Sequence, residues 1–175
     1  MTEQRRQRHV RSFVRRQGRL TKGQQRAYGD MWPLVGVDLP DQAERLRDMA
    51  GLFGREAQRT LEIGFGNGDT LAEMALAMPE RDFIGVEVHR PGVGHLCMRI
   101  QDGEISNLRV LCHDAVELVR DYLPAQSLDA VHIYFPDPWH KTRHHKRRIV
   151  NPKFVDLLAK LVRPGGYLHL ATDWR

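Results

Sequence analysis

The stretch Arg59-Thr-Leu-Glu-Ile-Gly-Phe-Gly-Asn-Gly-Asp-Thr-Leu-Ala-Glu-Met-Ala-Leu-Ala-Met78 decides the fold class. Its first half is an apolar run that empties into Gly64, Gly66 and Gly68. Its second half carries apolar residues at helical spacing and stops at Pro79. A strand, a glycine turn and a helix in that order open a βαβ unit, because parallel strands need a crossover and a helix is the usual one. Glycines in such a turn let the main chain approach a ligand and take conformations that a Cβ forbids. Their spacing differs by one residue from the dinucleotide fingerprint G-x-G-x-x-G, so the turn alone does not name its ligand.

Outward from this unit the same alternation continues. Strands are expected over 59–65, 82–88, 108–113 and 128–135, with a fifth over Tyr167–Thr172 reached through Gly165-Gly166. Helices are expected over Asp69–Met78, from near Pro91, over 115–123, and from Asn151-Pro152, an N-cap followed by proline at the first helical position. Asp41-x-x-Glu44 reads as a capping box opening a lead-in helix toward Gly51 or Gly54. Alternating strands and helices imply right-handed crossovers and a Rossmann-like, doubly wound, mainly parallel α/β sheet. With 175 residues, 41% of them apolar, one such core is the expectation.

Charge is distributed unevenly. Residues 1–26 carry nine Lys or Arg against the single acid Glu3, a surplus of eight, whereas the whole chain is only +5, so the remainder is acidic by three. We therefore expect a basic arm over 1–27 that serves a polyanionic partner, followed by a folded domain over 28–175; a merely solvated basic tail is the bland alternative. Cys97 and Cys112 show no Cys-x-x-Cys or His-paired spacing and read as buried thiols of a reducing compartment. No segment reaches transmembrane length and the Arg-rich start lacks a secretory apolar region, which makes the cytoplasm the expected location and leaves a mitochondrial transit peptide as the other reading.

Acids stand near the expected strand ends. Glu62 lies under the glycine turn, Glu87 ends the second strand where a carboxylate accepts from ribose hydroxyls, Asp114 ends the third, and Asp137 ends the fourth. Read singly, each could be a helix cap or a surface carboxylate. Together they would repel a pyrophosphate and attract a cationic amine or sulfonium, so S-adenosylmethionine fits where a nicotinamide dinucleotide fits poorly. The fourth strand runs into Pro136-Asp-Pro-Trp139 and then His140-Lys-Thr-Arg-His-His-Lys-Arg-Arg148, a long cationic loop without evident structure of its own, for which function or disorder is the usual explanation. Trp139 could stack on a base or pin the loop to the core. Lys141, Arg143, Lys146, Arg147 and Arg148 suit phosphates. His140 and His144 stand four apart, but without Cys partners and among five cations no metal is expected.

With these motifs in view the chain resembles the bacterial tRNA (guanine-N7)-methyltransferases, a branch of the class I S-adenosylmethionine-dependent methyltransferases. The resemblance spans nearly the whole chain: Arg11-Ser-Phe-Val-Arg-Arg-Gln-Gly-Arg19, Glu62-Ile-Gly-Phe-Gly-Asn-Gly68, Gly85-Val-Glu-Val88, Phe135-Pro-Asp-Pro-Trp-His-Lys141, Arg163-Pro-Gly-Gly166 and Ala171-Thr-Asp-Trp174. It implies that Glu62, Gly64, Gly66, Gly68, Glu87, Asp114 and Asp137 form the cofactor site, with Asp137 at the catalytic centre. It further implies that Lys141 and Asp173 contact substrate, that Arg143, His144, His145, Lys146, Arg147 and Arg148 touch RNA, and that the methyl acceptor is a guanine in the tRNA variable loop. The partner would be tRNA, with no membrane and no metal, and with monomer and homodimer both open. The family pattern continues beyond the point where this chain stops at Arg175, into the last strands of a seven-stranded sheet and a Thr-x-x-Glu segment that helps hold the guanine. The expected consequence is an uncovered fifth strand, with a non-catalytic RNA-binding module as the alternative function.

Overall fold

The computed structural model describes residues 18–173. Five parallel strands, β1 (Arg59–Ile63), β2 (Asp82–Val86), β3 (Leu108–Leu111), β4 (Leu128–Tyr134) and β5 (Val162–Ala171), form one sheet in the order β3-β2-β1-β4-β5. The order reverses between β1 and β4. In a doubly wound sheet this is where a crevice opens at the carboxyl ends of the strands.

Strand alternation splits the core into two layers. On one face Leu61, Ile63, Ile84, Val86, Val131 and Ile133 pack under α2 (Ala43–Arg47), α3 (Met49–Phe53), α6 (Ala115–Glu117) and α7 (Pro152–Leu161). On the other, Phe83, Leu108 and Val110 pack under α1 (Lys22–Val35), α4 (Asp69–Ala77) and α5 (Arg90–Asp102). Truncating a fully buried leucine of this kind to alanine costs about 2–5 kcal/mol.

Four sequence expectations are corrected. Strand boundaries shift: β1 to β4 end one or two residues earlier than predicted, with Gly64, Glu87, Val88, His113 and Phe135 beyond their ends lining the crevice while Phe65 and Cys112 pack in the core, and β5 starts at Val162, so Gly165 and Gly166 lie inside the strand and not in a turn before it. The helix expected from a box at Asp41 starts instead at Ala43, with Gln42 at the cap and no side-chain cap bond, and is interrupted at Asp48, which caps α3 through the Gly51 N–H (2.8 Å). A reciprocal box does form at Thr21 and Gln24, opening α1. Residues 22–27 of the expected arm are therefore helical, and α1 lies along α5, with Leu20 and Gln24 against Gly94; positions 1–17 of the arm lie outside the described residues. The segment after β4 is not structureless: Thr142–Arg147 winds into a 3₁₀ turn, a short form that suits a cationic run too brief for an α-helix.

Other expectations hold. Asn151 caps α7 through the Phe154 N–H (3.1 Å) with Pro152 following, and α4 ends just before Pro79. The 115–123 helix begins as α6, capped by Asp114, and widens into a π turn over Leu118–Tyr122. Cys97 is fully buried, as expected, and burial pushes its thiol up to about 12, but Cys112, expected to be buried as well, is only half-buried just past the end of β3.

Candidate functional site

A cavity of about 740 Å³ opens at the carboxyl ends of β1, β2 and β4. Gly64, Glu87, Asp137, Lys141 and His144 line it among the residues expected from sequence, joined by His89, His113, Tyr134, Phe135 and Trp139. Glu62, Gly66, Gly68, Asp114 and Asp173 do not line it. Glu62 is buried in β1 next to the lining residue Ile63, Gly66 and Gly68 belong to the turn that follows the lining residue Gly64, Asp114 stands between the lining residues His113 and Ala115, and Asp173 follows the end of β5.

The glycine turn owes its shape to several anchors. Gly64, Gly66 and Gly68 all have positive φ (73°, 61° and 79°). A Cβ on Gly64 or Gly66 would meet open space, whereas one on Gly68 would press on Leu96. Gly68 is thus small for packing against α5, and only the first two leave room over the turn. Glu87 closes the turn from the β2 side: its carboxylate accepts from the main-chain N–H of Gly66 (3.0 Å), Val88 (2.6 Å) and His89 (3.0 Å). From α5, the absent side chain of Gly92 admits the Gly66 carbonyl, and His95 Nδ1 donates to the Asn67 carbonyl (2.9 Å). Because a carbonyl can only accept, the proton on His95 sits at Nδ1. Sequence reasoning missed Gly92 and His95, which carry no local motif and meet the turn only after the crossover.

Glu62 is 3% exposed, and its Oε2 has no hydrogen-bond partner among the described residues. Burial pushes its carboxyl up to about 7. Across β4 its register neighbour is His132, which burial, with His169 and Arg81 nearby, pulls down to about 4. The Tyr134 hydroxyl shares a 3.2 Å hydrogen bond with His169 Nδ1, and burial, followed by Glu62 and Tyr167, raises its phenol. An orphaned buried carboxylate under an open glycine cradle fits a ligand with a positive charge and fits a phosphate badly. Asp114 uses Oδ1 to cap α6 through the Val116 N–H (2.8 Å), a structural role.

The other wall is built differently. Phe135 and Trp139, at φ 48° and 46°, bracket Pro136-Asp137-Pro138 in a conformation uncommon for residues with a side chain. Asp137 is exposed at the cavity. The Arg147 guanidinium lies 5.0 Å over the Trp139 ring, His144 meets that ring edge-on at 5.7 Å, and Arg148 Nε donates to the Pro138 carbonyl (2.9 Å). Trp139 thus holds the cationic turn through Arg147 and His144, contacts within the loop and not with the core. Lys141, Arg143, His145 and Lys146 are exposed. Partial desolvation, with Arg143, Arg147, Lys141 and Lys146 around it, holds His144 below the ordinary histidine value. Among the described residues no group of three His, Cys, Asp or Glu stands close enough to hold a metal, and no helix is long and apolar enough to cross a membrane.

Residues 56–175 match the family model Methyltransf_4, described as "Putative methyltransferase". Among curated relatives, the tRNA (guanine-N(7)-)-methyltransferase of Halorhodospira halophila is 60% identical over 167 residues, which is 95% of this chain and 71% of that protein. The enzyme of the same name from Alkalilimnicola ehrlichii is 54% identical over 95% of this chain and 70% of its own length. Among solved structures, the aminoglycoside resistance methyltransferase NpmB1 superposes with a TM-score of 0.56 at 18% identity, over 74% of this chain and 62% of that one; this likeness speaks to the fold.

Proposed function

We propose, from the premise that this chain belongs to the tRNA (guanine-N7)-methyltransferase family, that it transfers a methyl group from S-adenosylmethionine to N7 of a guanine in the variable loop of tRNA. When bound, the cofactor supplies an electrophilic methyl on a cationic sulfonium. Guanine N7 carries a free lone pair on the major-groove edge, so no general base has to remove a proton before attack. The purine gains a positive charge as the N7–methyl bond forms and the sulfur–methyl bond breaks.

The chain's residues then divide the work. Glu62 and the open turn at Gly64 and Gly66 hold the charged end of the cofactor, Glu87 keeps the turn closed and offers its remaining lone pair to ribose, and Asp114 accepts from the adenine amine. Asp137 is the catalytic carboxylate, placed to stabilise the charge that develops on the purine. Lys141 and Asp173 orient the nucleotide, while Arg143, His144, His145, Lys146, Arg147 and Arg148 meet the backbone, where phosphate contacts fix register without reading sequence. The basic arm over residues 1–27 adds to this polyanion-facing charge. Alignment of nucleophile, methyl and leaving sulfur contributes at best about 7–11 kcal/mol.

The observation that carries this reading is one cavity lined by Gly64 and Glu87 of the glycine-turn side and by Asp137, Lys141 and His144 of the cationic side, with the buried Oε2 of Glu62, unpartnered among the described residues, two residues before Gly64. Tritiated methyl transfer to tRNA, with the modified base mapped, tests it. The expected product is 7-methylguanine in the variable loop, and N6-methyladenine or a methylated small molecule alone would overturn it. Salt-sensitive tRNA binding without turnover at saturating cofactor would favour the non-catalytic alternative.

A further inference from the structure

We infer that Phe135 is the platform on which the acceptor purine stacks. This rests on the proposed action on an RNA guanine and names the side chain that would hold the face of that base. By strand alternation Phe135 should follow Ile133 into the core, and its apolar neighbours make it look like the last residue of β4. Instead β4 stops at Tyr134, the backbone of Phe135 turns to φ 48°, and the ring is left 65% exposed at the cavity.

That arrangement is costly. A residue with a side chain pays about 1–3 kcal/mol to sit in the left-handed region, and one preceding proline ordinarily prefers an extended conformation. The main chain fixes it there: the Phe135 N–H donates to the Ala171 carbonyl (2.9 Å), continuing the β4–β5 ladder, and Pro136 follows. The effect is to lift a large aromatic face out of the core and into the crevice. Stacking requires an open ring face. Trp139, which lines the same cavity, is half-buried with Arg147 over one face and His144 at its edge, so Phe135 is the more open of the two rings. Asp137 is two residues from Phe135 on the same strained turn and lines the same cavity, so one short segment supplies a ring for the face of a base and a carboxylate for its charge.

The test uses binding without methyl donor, comparing a tRNA that carries the variable-loop guanine with the same tRNA made abasic at that position. Wild-type protein should prefer the guanine form about tenfold, as expected for one base–aromatic stack. Phe135→Leu should reduce that preference below about twofold while binding the abasic tRNA as tightly as wild type, and Phe135→Trp should retain it. No preference in wild type, an undiminished preference in F135L, or an equal loss on both RNAs would overturn the inference. Thermal melting establishes that F135L is folded; if it is not, Phe135→Tyr, which keeps the ring, and Phe135→Met, which removes it, replace the pair. A wild-type preference for the guanine tRNA without methyl transfer would refute the proposed function and leave the stack standing. Methylation of guanine by F135L at the wild-type kcat/KM would do the reverse.

Discussion

The two walls of the cavity are made in opposite ways. The glycine-turn wall is held by main-chain bonds from Glu87 and His95 and by close packing against Gly92 and Leu96, with one buried carboxylate at its base. The Phe135–Arg148 wall is short of regular structure, holds two residues at positive φ, and exposes most of its charge. The first wall suits a small ligand of fixed shape, since preorganised main-chain groups need no rearrangement on binding. The second suits a large, wet polyanion, for which exposed cations supply affinity and a few fixed groups supply geometry. Removing a part should therefore have different signatures on the two sides.

The largest effect is expected at Asp137. Asp137→Ala should lower kcat about 10²- to 10³-fold, as removal of one transition-state electrostatic partner does, while the melting temperature stays near wild type. Wild-type turnover by this variant would remove Asp137 from the chemistry.

Glu62 offers the next. Its carboxyl sits at about 7 in the fold against 4.5 ordinarily, so the folded state binds that proton more tightly than the unfolded one. Its stabilising contribution is complete below about pH 4.5 and is lost as pH rises to about 7, a change of about 3 kcal/mol in the ligand-free protein. Denaturant titrations at pH 5 and pH 7.5 measure it, and Glu62→Gln should abolish that part of the slope. Binding of a cationic ligand needs the ionised form, so cofactor affinity should weaken as pH falls below 7, and E62Q should bind weakly at every pH. Cofactor affinity independent of pH would separate Glu62 from the ligand.

Gly92→Ala sharpens the contrast, because the added methyl would collide with the Gly66 carbonyl of the glycine turn. Cofactor affinity should fall at least tenfold and stability by about 1–3 kcal/mol, with tRNA affinity unchanged in filter binding. The smallest effects belong to the cationic turn. Neutralising Arg143 and Lys146 together should weaken tRNA binding and flatten its salt dependence by about one unit of slope for each phosphate that is no longer neutralised. Arg148→Ala should instead lower kcat more than affinity, since its guanidinium holds Pro138 beside Asp137.

Much of this molecule is legible in the chain. Periodicity gives the existence and order of the five strands and the crossover helices, and glycine placement gives the turn at the cavity edge, because each depends on residues adjacent in sequence, whereas Gly165-Gly166 reads as a turn and lies inside β5. Strand ends are read too long, since Ile133, Tyr134 and Phe135 look alike as apolar letters while only the fold shows the last of them turning outward. Trp139 shows the same limit in the other direction, since only the fold brings Arg147 and His144 of the following turn against its ring. The capping pattern at Asp41 is present in the letters but unused, while the one at Thr21 forms because α1 has α5 to pack against.

By itself the sequence determined the layered α/β class, the acids near the strand ends and the dense cationic segment, for these follow from local hydrophobic period and composition. Only the tertiary structure decided that Glu62 lies buried with Oε2 unpartnered among the described residues, that Glu87 and His95 grip the glycine turn, and that Phe135 turns out to the cavity while Trp139 takes Arg147 on one face. Burial, desolvation and the choice of neighbours across a crossover depend on positions far apart along the chain, and no local pattern encodes them.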